Sequence, residues 1–462
     1  MNDRPNSLHA LDRQSLVHPY TNLAVHQEVG PHVITGGEGI YVVDDQGKRY
    51  IEGLAGLFCA GLGFSEPRLV EAATRQLKTM PFYHSFAHKS TEPGIRLAEK
   101  LLEMAPVPMS KVFFAGSGSE ANDTAIKLVW YYNNAVGRPE KKKKIISRRK
   151  AYHGVTVATA SLTGLPFNHR DFDLPIANIL HTDCPHYWRF AEPGESEEDF
   201  ATRLVSNLEA MILEEGPETV AAFFAEPVMV SGGVITPPKT YFEKLQAVLK
   251  KYDILLVADE VICGFGRTGN MFGSETYGLK PDMISCAKQL SAAYMPISAL
   301  MINETISDVL LDQSRKIGTF SHGFTYGGHP VAAAVALEAL TIYQEVDIVS
   351  HVRAVGPRFQ EGIRKLGEHP LIGEARGVGL VAGLEFVKDK VTKENFPPAW
   401  QVANHAGKFA TERGVLTRGL GDMVSLCPAM IISENEIDDL MARMQLALDD
   451  TLSWARSQGY IA

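Results

Sequence analysis

Cysteine is scarce and scattered in this chain, with five residues (Cys59, Cys184, Cys263, Cys286 and Cys427) among 462 and no CxxC pair. An odd number at wide spacing supplies neither a disulfide framework nor a zinc site, and it suits a reducing compartment. Long apolar runs are missing as well. The stretch after Pro330 is broken by Glu338 and the one near Phe223 by Glu226, so neither reaches the roughly 20 residues of a membrane-spanning helix. Positive charge is not in excess: 45 Lys and Arg against 54 Asp and Glu leave a net charge of −9, which argues against a nucleic acid as the principal partner. There is no internal repeat and no low-complexity tract. Met1 to Pro5 lack the apolar core of a signal peptide, so a cytoplasmic location is expected. What is present is an ordinary globular composition, 45% hydrophobic and 21% charged, in a chain long enough to bury a large core without staples.

The pattern of elements predicts three units. Residues 1–67 read as an arm, polar and irregular to about residue 35, followed by a β-hairpin. Its strands are Ile40 to Val43 and Arg49 to Ile51, with a turn at Asp44 to Gly47. Residues 68–335 alternate helical runs (Arg68 to Met80, Gly94 to Met104) with short apolar strands: Val112 to Phe114, Ile145 to Ser147, Val220 to Ala225, Ile254 to Ala258, Met283 to Cys286 and Ile297 to Ile302. That rhythm predicts an α/β fold, a large domain whose mixed, mostly parallel sheet is covered by helices on both faces. Residues 336–462 predict a small α+β domain, packed with the N-terminal hairpin. Its strands are Gly379 to Phe386, Val415 to Arg418 and Met423 to Cys427. Its last helix opens on a capping box at Ser433 and Glu436.

In sheets of this kind ligands bind beyond the carboxyl ends of the strands, and the chemically apt residues of this sequence stand there. Asp259 ends one strand and Lys288 follows another. A lysine so placed can form a Schiff base with a carbonyl, and a carboxylate can hold a protonated pyridine nitrogen. Gly116-Ser117-Gly118-Ser119 follows a strand and opens a helix, where free N–H groups favour an anion. Tyr152-His153-Gly154 puts an aromatic at a strand end, where it could lie on a planar ring. Singly, each has a plain structural explanation: a loop start, a helix cap, a core aromatic. Together they describe one site.

The set Gly118-Ser119-Glu120-Ala121-Asn122, Tyr152-His153-Gly154, Glu226-Pro227-Val228, Asp259 to Gly269, Lys288, His322-Gly323-Phe324-Thr325 and His329-Pro330 resembles the class III, fold type I aminotransferases that use pyridoxal 5'-phosphate (PLP). Within them it resembles the ω-aminotransferases that pass an amino group from amines or ω-amino acids to pyruvate. The resemblance runs from about residue 18 to the C-terminus. It implies Lys288 as Schiff-base lysine and proton carrier, with Asp259 as partner of the pyridine nitrogen. Tyr152 and Val261 would lie on the two ring faces, and Ser117, Gly118 and Ser119 would hold the phosphate. His153, Glu226 and Phe324 would also bind the cofactor. Thr325 would reach the phosphate from a partner subunit, in a homodimer with shared sites that could pair into a tetramer. Arg418 matches the arginine that grips a substrate carboxylate, and Ser231 stands where some relatives carry the glutamate that pairs with it. Leu57, Phe58, Phe86 and Ala87 would wall the substrate pocket, Phe58 and Ala87 enlarging it. Tyr20 would close it from the partner subunit. No metal is implied. Two other readings remain at this point: a same-fold PLP enzyme with other chemistry (aminomutase, racemase or decarboxylase), and a non-catalytic PLP-binding regulator. The basic run Lys141 to Lys144 with Arg148 to Lys150 reads as a solvated rim, and His181, Cys184 and His186 as a loop without metal.

Overall fold

The computed structural model describes residues 6–461, so Met1 to Pro5 lie outside the described residues. The chain opens with two short helices, Leu8–Ser15 and Leu23–Val29, where an irregular arm was expected. Ser7 and Asn22 cap them, their side chains accepting hydrogen bonds from the amides of Ala10 and Val25. The helices themselves are too short for an apolar period to show. Strands β1 (Ile34–Glu38), β2 (Tyr41–Asp44) and β3 (Arg49–Glu52) follow as an antiparallel meander. The hairpin is as expected. β1 (Ile-Thr-Gly-Gly-Glu) has no apolar alternation to announce it.

The large sheet holds β4 (Lys111–Ala115), β5 (Lys144–Arg148), β6 (Ile179–Thr182), β7 (Val220–Ala225), β8 (Leu255–Asp259), β9 (Met283–Cys286) and β10 (Ser298–Ile302), in the order β4-β10-β9-β8-β7-β5-β6. The strands from β5 to β9 pair in parallel, while β10 is antiparallel to both neighbours. β6 was not foreseen. Consecutive residues divide between two cores, as the two-residue strand period demands. Ile146, Phe223, Leu256 and Met301 belong to one core, to which the helix Glu197–Glu215 adds Phe200, Leu204 and Leu208. Ile145, Phe224, Val257 and Leu300 face the helix Gly118–Ala135 with its Ala125, Leu128 and Val129. Every residue of β7, β9 and β10 is buried, which is why these strands read as unbroken apolar runs.

The remaining strands are β11 (Ile372–Val378), β12 (Val381–Phe386), β13 (Val415–Leu416), β14 (Gly419–Leu420) and β15 (Met423–Leu426). Four of them form an antiparallel sheet, β11-β12-β15-β14, and β13 instead pairs in parallel with β3 of the N-terminal meander. The single strand expected over Val415 to Arg418 is therefore broken after Leu416, and Thr417-Arg418 bridges two sheets. Ser433 and Glu436 cap the helix Glu434–Ser457 reciprocally, as foreseen. Residue 336 lies inside the helix Pro330–Glu345.

The basic run is a correction. Lys142 and Arg148 are buried: Lys142 Nζ donates to the carbonyls of Tyr252 and Asp253 at 2.7 and 2.8 Å, and Arg148 Nη2 to that of Glu226 at 2.6 Å. These cations tie strand ends together from inside.

Beyond β5 the chain doubles back over Gly164. A Cβ there would stand 2.2 Å from the Arg148 carbonyl oxygen and 2.8 Å from the Lys150 nitrogen, backbone atoms that cannot yield. Gly164→Ala is expected to destabilise the protein by about 1–3 kcal/mol, read as a lower unfolding midpoint. Gly36→Ala, with nothing within 4 Å of the added carbon, should leave that midpoint unchanged.

Candidate active site

The carboxyl ends of the central strands surround a cavity of about 250 Å³. At its floor is Asp259, the last residue of β8 and 4% exposed. Its Oδ2 accepts from Asn122 Nδ2 at 2.7 Å and His153 Nδ1 at 2.8 Å, and its Oδ1 from the Val261 amide at 3.1 Å. Asn122 also donates to the His153 carbonyl at 2.9 Å. Three donors from three segments thus fix one carboxylate, and charge-assisted bonds of this kind are the strong ones. With Nδ1 donating, His153 Nε2 is left buried without a partner.

Lys288 follows β9 and shares the cavity wall with Asp259. Its φ of +49° is a left-handed value that costs a non-glycine residue about 1–3 kcal/mol and is typical of functional positions. Nζ stands 5.5 Å from the centre of the Phe58 ring. Burial pulls the amine below the usual lysine range, against the opposing pull of Cys59 and Asp259.

The helix Gly118–Ala135 points its N-terminus at the cavity, with Gly118 and Ser119 on the wall. Ser117 is different: its Oγ accepts from the Glu120 amide at 3.2 Å and caps the helix, and it does not line the cavity. A Cβ on Gly118 would meet Val261 Cγ2 at 3.0 Å, so the glycine lets Val261 lie against the helix start. Glu226, after β7, accepts the Tyr152 amide at 3.0 Å and so positions that aromatic, while burial pushes its own carboxyl up to about 7. An anion-ready helix start, an aromatic and an aliphatic wall, a fixed carboxylate and an amine suit a phosphorylated, aldehyde-bearing heterocycle.

At the outer end stand Leu57, Phe58, Ser231 and Arg418. The break after β13 carries Arg418 there, half-buried and without a hydrogen-bond or ion-pair partner among the described residues, its Nε unpaired. Burial lowers its guanidinium from the ordinary value. Tyr20 corrects an expectation. It lines the cavity of its own chain, where its hydroxyl accepts from Asn168 Nδ2 at 2.5 Å, because the two arm helices fold the arm back. Phe86, Ala87 and Phe324 line a separate groove, and Thr325 is exposed on the next turn, so within one chain these four do not reach the cavity.

Sequence reasoning missed the part played by Asn122, and missed Leu165 and Phe167 on the cavity wall. Asn122 lies one helical turn after Gly118, on the same face, a spacing that could have marked it. The other two come from a loop with no pattern. Asn122→Ala is expected to cost about 1–3 kcal/mol of cofactor affinity, read by equilibrium dialysis of PLP. Borohydride reduction of the holoenzyme and peptide mapping should find a pyridoxyl group on Lys288 and none in Lys288→Ala.

The model of the family described as aminotransferase class-III matches residues 23–448. Gamma aminobutyrate transaminase 3, chloroplastic, of Solanum lycopersicum is 56% identical over 434 residues, 94% of this chain and 83% of that one. Gamma-aminobutyrate transaminase 1, mitochondrial, of Oryza sativa subsp. japonica is 57% identical over 425 residues, 92% and 82%. Among solved structures, the omega transaminase from Pseudomonas jessenii in complex with PMP superposes with a TM-score of 0.95 at 56% identity, covering 97% of this chain and 99% of that one. A thermostable omega transaminase variant engineered for asymmetric synthesis of enantiopure bulky amines gives 0.96 at 55% identity, covering 97% and 100%. This chain belongs to the class-III aminotransferases, enzymes of PLP fold type I that depend on pyridoxal 5'-phosphate.

Proposed function

We propose that this aminotransferase moves an amino group from a primary amine or ω-amino acid to pyruvate, releasing a ketone or aldehyde and alanine. The observation that carries this reading is Arg418: a guanidinium on the cavity wall, with no acid among the described residues to hold it and Ser231 on the same wall. A planar, charged fork of donors recognises a carboxylate in two-point fashion, as pyruvate requires. With no fixed ion pair it can also turn aside for a donor that has no carboxylate.

When bound, PLP supplies the electron sink that acidifies the substrate Cα–H. The chain's own residues do the rest. Asp259, held by Asn122 and His153, offers its carboxylate as an acceptor at the cavity floor. Lys288 Nζ takes the Cα proton and gives it back, and its lowered pKa leaves more neutral amine at a given pH. Tyr152 and Val261 confine a flat ring between them. Phe58, in place of the larger indole of relatives, and Leu57 leave room for bulky donors. The exposed turn bearing Thr325 would serve the phosphate end of a second copy's cavity, so that a homodimer is the working unit. The gamma-aminobutyrate transaminases among the relatives make 4-aminobutyrate the first ω-amino acid to test, and its carboxylate would use the same Arg418.

The deciding experiment is a donor panel with pyruvate. Alanine should form in step with the carbonyl product; loss of CO₂ or isomerised donor instead would favour the decarboxylase or mutase readings. Arg418→Ala should lower kcat/KM for pyruvate about 10–100-fold and leave that for an uncharged amine within about threefold; equal losses would count against the role given to Arg418. The kcat profile should rise with pH and level off below the ~10.4 of an unperturbed lysine, because deprotonation of Lys288 is displaced to lower pH.

A further inference from the structure

Two groups of side chains outside the catalytic cavity bring metal-ligating atoms together among the described residues. In one, His186 with Glu374 and Glu385, cations of the protein already fill the space. Arg376 Nη1 bonds both glutamates and Arg189 bonds Glu385, so that group is a closed salt-bridge network.

The other is open. Asp12 sits on the helix Leu8–Ser15, His18 on the connection that follows, and His26 on the helix Leu23–Val29. His18 Nε2 stands 3.0 Å from both Asp12 oxygens, His26 Nε2 stands 2.8 Å from Oδ1, and the ring centroids lie 4.0 Å apart with the planes tilted by 38°. His26 is buried and the other two are half-buried. Among the described residues no lysine or arginine pairs with Asp12, whose partners are the two imidazoles. Two neutral imidazoles and a carboxylate converging on one point are a donor set for a borderline divalent ion such as Zn²⁺, with water completing the coordination. Bonds of about 2.1 Å to each ligand would spread them to about 3.4 Å, a few tenths of an ångström beyond their present separation, which side-chain rotation supplies.

We propose that Asp12, His18 and His26 form a divalent transition-metal site that staples the N-terminal arm. Its placement gives it a consequence at the cavity. His18 is two residues before Tyr20, whose left-handed backbone (φ +51°) and bond to Asn168 seat it on the cavity wall. An ion joining both arm helices across this turn would restrain the turn that carries Tyr20.

The test uses tag-free, chelator-dialysed holoenzyme and needs neither amine nor pyruvate, so it stands apart from the proposed reaction. Titration with Co²⁺ should give visible ligand-field absorption saturating at one equivalent per chain, and His18→Gln and Asp12→Asn should each weaken binding at least about tenfold. Zn²⁺ should slow tryptic cleavage after Arg13 several-fold in the wild type and not in His18→Gln. Absence of a saturable band, binding unchanged in both variants, or cleavage after Arg13 at one rate with and without Zn²⁺ would each overturn the proposal.

Discussion

One buried carboxylate organises this active site. Asp259 is brought to the cavity floor by β8 and needs donors from elsewhere, since a lone charge out of water is costly. Those donors come from three directions: Asn122 on the helix after β4, His153 after β5 and the backbone of Val261. Satisfying Asp259 therefore brings the helix start, the Tyr152 segment and the β8 loop to one place. The helix start, the aromatic wall and the cavity floor are coupled through a single hydrogen-bonded group.

Around that group the large sheet works as a rack. Its strands are buried on both faces, and the parallel pairing of β5 to β9 sends their carboxyl ends to one rim. The internal cations Lys142 and Arg148 bond backbone carbonyls near the strand ends, and Glu226 holds the Tyr152 amide. Lys288 enters from the neighbouring strand in a strained backbone conformation, with its amine buried and its basicity lowered. The burial that makes the floor rigid also lowers the basicity of the amine.

The mouth is built by another rule. Arg418 comes from a break between two small sheets, Tyr20 from a turn between two short helices, and Leu165 and Phe167 from a loop. None of these is held as Asp259 is held, and Arg418 has no partner at all among the described residues. Loops on a rigid scaffold are where specificity can vary without disturbing the chemistry, which accords with a fixed floor and an adaptable entrance.

Local physics was enough to determine the core of this protein. Apolar strands of four to six residues, glycines before a helix, a capping box, and an acid and a lysine at strand ends each carry their meaning in a few neighbouring residues. They point to the fold class and to several residues that line the cavity. Tertiary structure alone decided the rest. Tyr20 belongs to its own chain's cavity because two helices, too short to read from period, fold the arm back. Lys142 and Arg148 are internal cations because burial depends on what packs over a segment. Within one chain Phe86, Ala87 and Phe324 line a groove apart from the cavity, because which loops close on one another in space leaves little trace in the residues that close them.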